Sequence, residues 1–142
     1  MTEVIVRSQG GLAQLIETAG HQLPADEPRD GGGADSGPSP YELLLSALGA
    51  CTAMTLSLSA RRLGWELSGV EVRLRHDRVH AQDCAECETK DGYLDRIHQH
   101  VTVLGPLTEE QLQQLAEIVR KCPVHQALSR EIMVDDSLSQ SA

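Results

Sequence analysis

The order of apolar patterns along this chain predicts an α+β domain with a largely antiparallel sheet. Three observations carry that reading. Short apolar runs separated by glycine turns open the chain, a long uncharged segment occupies residues 43–60, and two alternating strands then precede an amphipathic helix. Length fits a single domain, expected over residues 1–136, with residues 137–142 as a tail lacking order.

Taken in order, residues 3–7 and 12–17 are apolar runs around Ser8, Gln9, Gly10 and Gly11, which predicts a hairpin. A third short strand is expected over residues 20–23. Residues 24–40, PADEPRDGGGADSGPSP, are rich in Gly, Pro and Asp and are read as a loop without regular structure. A loop of that length in a compact domain points to a functional reason. Ser39 and Glu42 have capping-box spacing with Pro40 between them, so a helix is expected from Pro40 to Leu63, stopped at Gly64. It is apolar on nearly every side, which predicts burial by sheet and helices together.

Val70, Val72 and Leu74 alternate with charged residues, as do Ile97, Val101 and Val103 with Arg96, His98, His100 and Thr102. Both are half-buried strands, joined by the polar stretch DCAECETKDG. Thr108 and Gln111 make a second capping box. Leu112, Leu115, Ala116, Val119 and Cys122 then form one helical stripe, so Cys122 is expected to face the core. Ile132, Met133 and Val134 predict a closing strand.

Composition removes several classes of function. A formal charge of −9 with scattered Lys and Arg excludes the basic stripe that nucleic acid requires. The start, MTEVIVRSQGG, lacks a signal-peptide layout, so a cytoplasmic location is expected. Residues 43–60 reach the lower length limit of a membrane span, but Ser46, Gly49, Thr52, Thr55, Ser57 and Ser59 fit a core helix better, and no membrane partner is expected. In a reducing compartment a disulfide is transient rather than structural.

Chemistry is expected at the cysteines. Cys51 sits on an apolar helix face with Leu44, Ala47, Leu48, Met54, Thr55 and Leu58 as its neighbours. Burial raises a thiol's pKa while reactivity needs the thiolate, so Cys51 requires a cation or donor from outside its helix, or is packed and inert. Cys122 precedes Pro123, which makes it an N-cap for a short helix through Leu128. Free amides, Lys121 and His125 would favour its thiolate; a small residue completing an apolar stripe is the alternative.

The segments GPSPYELLLSALGACTAMTL, GWELSGVEVRLRH and LAEIVRKCPVHQAL together resemble the OsmC/Ohr family of osmotically inducible and organic-hydroperoxide-resistance proteins. The resemblance implies antiparallel sheets wrapped around long central helices in an intertwined homodimer. It also implies an organic hydroperoxide substrate, a dithiol reductant and no cofactor. Carried over, Cys51 is the peroxidatic cysteine that becomes a sulfenic acid, and Cys122 resolves it to a disulfide. Family peroxidases add a loop arginine and a glutamate at the helix start, for which Arg29 and Glu42 are the candidates. The hydroperoxide-resistance branch has its glutamate directly after the proline, where this chain has Tyr41. Glu42 and Cys51 are separated by about 13.5 Å of ideal helix, so Glu42 would act through Arg29 or across subunits.

A second constellation, His76, His80, Cys84 and Cys87, has metal-ligand spacing, His-x3-His-x3-Cys-x2-Cys. Three uses stand side by side: a metal site, a redox pair, or solvated loop residues, with Asp83, Glu86 and Glu88 raising the thiol pKa values. No metal is expected in the leading reading. Two rivals to a peroxidase follow, a non-catalytic module binding a small hydrophobic ligand and a metal-holding protein.

Overall fold

The computed structural model describes residues 1–141; residue 142, the end of the expected tail, lies outside the described residues. Strands β1 (Ile5–Ser8), β2 (Gln14–Thr18) and β3 (His21–Ala25) form an antiparallel meander. Ile16 lies opposite Val6 on one side and Leu23 on the other. The first turn needs its glycines, because Gly10 and Gly11 both adopt positive φ, 102° and 57°.

The following loop is more organised than its composition predicts. Asp26 is buried, and its carboxylate accepts hydrogen bonds from the N–H groups of Glu27, Ala34 and Ser36 and from the Ser36 hydroxyl, the last at 2.7 Å. Residues Arg29–Gly31 form a 3-10 turn within it. A side chain at Gly33 would place its Cβ 2.0 Å from the Glu27 carbonyl oxygen, so the loop closes on bare backbone there.

Helix α1 (Pro40–Leu63) begins with the expected capping box: Ser39 N–H donates to Glu42 Oε1, and Glu42 N–H to Ser39 Oγ. It ends at Gly64, φ 74°, where Gly64 N–H reaches the Arg61 carbonyl and Trp65 N–H the Ala60 carbonyl, a Schellman closure. Only one stripe of the helix is buried, formed by Leu48, Gly49, Thr52, Leu56 and Ala60. Met54 and Leu58 are 64% and 53% exposed, so the expectation of burial on nearly every side does not hold for the single chain.

Strands β4 (Gly69–His80) and β5 (Tyr93–Leu104) pair as a two-stranded ribbon, longer than their alternation alone predicts. Ala81 N–H to the Gly92 carbonyl closes one end and Ser68 N–H to the Leu104 carbonyl the other. Helix α2 (Glu109–Val119) starts at the Thr108–Gln111 capping box, and α3 (Pro123–Leu128) at Cys122. The closing strand expected at Ile132, Met133 and Val134 does not form; these side chains are exposed on chain without regular secondary structure.

The backbone groups into two compact units, Met1–Ala47 with Leu74–His98, and Leu48–Arg73 with Gln99–Ala142. Helix α1 and both long strands contribute to each. The first holds the meander, the Asp26 loop and the closed end of the ribbon. The second holds both free cysteines.

Candidate active site

The site in the second unit grows from two local features. The inward stripe of α1 brings Thr52 to complete burial, with Cys51 beside it half-buried rather than fully enclosed. After α2 ends at Val119, the chain turns through Arg120 and Lys121 and delivers Cys122 as the N-cap of α3, with no exposed surface at all. Cys122 thus faces the core as expected, but from the helix start that Pro123 sets rather than from the α2 stripe.

The two thiols meet. Cys51 and Cys122 lie close enough that each shifts the other's proton affinity. Burial pushes the Cys51 thiol up, and donation toward Cys122 pushes it further, against smaller opposing contacts from the Val124 N–H and the Thr55 hydroxyl. Burial also acts to raise Cys122, but it is outweighed by the Cys51 thiol, the N–H groups of His125 and Val124, and the Thr52 hydroxyl, and Cys122 is held below the ordinary thiol value. Cys122 forms no regular side-chain cap bond; these amides polarise its sulfur from longer range. The coupling thus sets the two thiols apart: Cys122 is the one that ionises more readily, and Cys51 is the one that holds its proton more tightly.

Thr52 ties this pair to the ribbon. Its hydroxyl lies 2.9 Å from Gln99 Oε1 on β5. Gln99 occupies an inward position between Ile97 and Val101, and a polar residue in that apolar alternation was the signal that could have found it. Thr52, Gln99 and Thr55 complete a polar lining that the sequence reading did not assign. A cavity of about 610 Å³ elsewhere in this unit, bordered by Arg61, Trp65 and Glu66, includes neither cysteine.

A two-thiol site on this fold can be compared with known proteins. The family model described as "OsmC-like protein" matches residues 32–135. The chain belongs to the OsmC-like family. Among solved structures it is similar to an OsmC like protein from Mycoplasma pneumoniae, at 19% identity over 91% of this chain and 87% of that one, with a TM-score of 0.68. It is also similar to an organic hydroperoxide resistance protein OsmC from Legionella pneumophila, at 21% identity over 89% and 88%, with a TM-score of 0.62. A third, from Elizabethkingia anophelis, is an organic hydroperoxide resistance protein at 19% identity over 89% and 88%, TM-score 0.63. No curated protein sequence matches the chain.

The other residues singled out in this OsmC-like protein lie in the first unit. Arg29 opens the 3-10 turn, is exposed, and forms no salt bridge among the described residues. Glu42 is engaged by Ser39, whose hydroxyl and N–H hold its carboxyl below the usual value, so it stays ionised. The metal-spaced quartet is dispersed into other partnerships. Cys84 and Cys87 are joined as a disulfide, His76 Nε2 lies 2.8 Å from Asp95 Oδ1 with its ring stacked on Tyr41, and His80 packs on Tyr93. Alternation breaks at Asp77 and Arg78, both exposed, which turns His80 away from the half-buried face that His76 shares with Val72 and Leu74. No cluster of metal-ligating side chains exists among the described residues.

Proposed function

We propose that this OsmC-like protein is a cytoplasmic, thiol-dependent peroxidase that reduces organic hydroperoxides and is restored by a dithiol. The observation that carries this reading is a half-buried thiol and a fully buried one close enough for each to shift the other's proton affinity. Exposure assigns the first step to Cys51, because an enclosed sulfur cannot meet substrate. Cys51 loses its proton to solvent, and its sulfur attacks the outer peroxide oxygen.

The O–O bond then breaks, the alkoxide leaves and is protonated to an alcohol, and Cys51 becomes a sulfenic acid. Cys122, as its thiolate, attacks the Cys51 sulfur and expels hydroxide, which takes up a proton and leaves as water. A dithiol returns the Cys51–Cys122 disulfide to two thiols by exchange. In this reading Arg29 supplies the cation that draws the peroxide, and Glu42 is its carboxylate partner. The apolar neighbours of Cys51, Leu48 among them, favour alkyl peroxides over hydrogen peroxide.

The protein works as an intertwined homodimer in this reading, a second copy covering the exposed Met54 and Leu58. The test is consumption of tert-butyl hydroperoxide with dithiothreitol, with sulfenic acid trapping at Cys51. Wild-type turnover no faster than that of Cys51→Ser sinks the proposal.

A further inference from the structure

The disulfide between Cys84 and Cys87 lies in the loop joining β4 and β5, in the first unit, whereas both free thiols belong to the second. Its two sulfurs are not equivalent. Cys84 is buried at 8% exposure, and Cys87 is half-buried. The bridge closes a loop with a sequence separation of 3. Such short loops gain the least from cross-linking, since chain entropy removed from the unfolded state grows with loop length.

The bridge is also not what closes the ribbon. Ala81 N–H to the Gly92 carbonyl, at 2.9 Å, pins the strand ends, and Cys84 N–H returns to Ala81 through its own hydrogen bond. Opening the bridge leaves both bonds in place. A cross-link that stabilises little and can open without unzipping its strands is suited to exchange rather than to stapling.

We propose that Cys84 and Cys87 form a second thiol–disulfide couple, one that accepts two electrons from a dithiol reductant at the Cys87 sulfur. One thiolate of the reductant attacks Cys87 Sγ, the disulfide bond breaks, and Cys84 leaves as a thiolate. The reductant's second thiol loses its proton and attacks the reductant sulfur of the mixed disulfide, releasing Cys87 and closing the reductant into its own disulfide. The two protons given up by the reductant end on Cys84 and Cys87. Asp83, Glu86, Glu88 and Asp91 lie within four residues of the pair along the chain, opposed by Lys90, whose Nζ reaches the Ala85 carbonyl at 3.4 Å. That charge disfavours an anionic reductant.

The experiment uses the full chain carrying Cys51→Ser and Cys122→Ser, purified without reductant, so its result is independent of peroxide turnover. Alkylation and intact mass should find no free thiol at the start. Two thiols should appear together on native incubation with dithiothreitol and vanish again with its oxidised form. Free thiols in the protein as purified, or a bridge that yields only after denaturation, would overturn the proposal. In the same background, oxidised glutathione should modify Cys87 in a Cys84→Ser variant at least about tenfold faster than Cys84 in a Cys87→Ser variant. Equal rates would overturn the assignment of the attacked sulfur. Reduction by anionic glutathione should speed up as salt is added while that by cationic cysteamine slows; the reverse trends would overturn the reading of the loop charge.

Discussion

Thr52 and Gln99 are joined at 2.9 Å between the buried stripe of α1 and the inward face of β5, and the same threonine hydroxyl also borders the Cys122 sulfur. A hydroxyl has one proton to give. That proton goes to Gln99 Oε1 in the structure, and a charged Cys122 competes for it. Thr52→Val therefore removes a donor from Cys122 and leaves Gln99 unpaired. The expected result is a higher Cys122 pKa, read from thiolate absorbance against pH, and a stability loss of about 1–3 kcal/mol in urea.

The opposite shifts of Cys51 and Cys122 predict two separated thiol titrations. The first should fall below the ordinary thiol range and belong to Cys122, the second above it and belong to Cys51. Because folding lowers the Cys122 pKa, its contribution to stability is complete above the unfolded thiol's pKa and is lost as pH falls through the folded value. Cys122→Ser should bring the Cys51 titration downward, since both the hydrogen bond and the charge that oppose its ionisation disappear. A Cys51 titration unmoved by that substitution would contradict the coupling.

Asp26 predicts an acid-sensitive loop. The Ser36 hydroxyl first, then the Ser36 N–H, with smaller help from Glu27 and Ala34, hold its carboxyl below the usual 3.8 against the cost of burial. Stability from this group is present above that unfolded value and disappears as pH falls through the lower folded one. Asp26→Ala should lower the Tm by several degrees at neutral pH and flatten the acid limb of the stability curve. Gly33→Ala should damage the same loop through a steric route, because its Cβ would meet both the Glu27 carbonyl and the Asp26 carboxylate.

The core makes a plainer prediction. Leu56 has no exposed surface, and Leu56→Ala should cost about 2–5 kcal/mol in chemical denaturation. Leu58→Glu, on the exposed side of the same helix, should leave the chain folded. Under the dimer reading it should shift the mass measured by light scattering toward the monomer.

Local chemistry was the legible part of this molecule. Both capping boxes, the Gly64 stop and the N-cap position of Cys122 follow from residues within four positions of one another, and each is found where the sequence expects it. The family, too, is written in short segments. What the sequence did not reveal depends on contacts across distance: the Asp26 carboxylate finds donors eight and ten residues away, and Thr52 finds Gln99 on another element. Ile132, Met133 and Val134 have strand propensity, but propensity alone, without pairing to another strand, makes no strand. The meeting of Cys51 and Cys122 was implied by resemblance alone, since no periodicity links positions so far apart.

The ribbon of β4 and β5 has a consequence of its own. Each strand is 12 residues long and, among the described residues, pairs only with the other, so each carries one satisfied rim and one bare rim. Along an antiparallel strand the N–H groups point alternately to the two sides. Hydrogen–deuterium exchange on the isolated chain should therefore read as a two-residue rhythm of slow and fast amides. Where the fast members slow at higher protein concentration, they would mark the stretch of rim that another backbone has come to occupy.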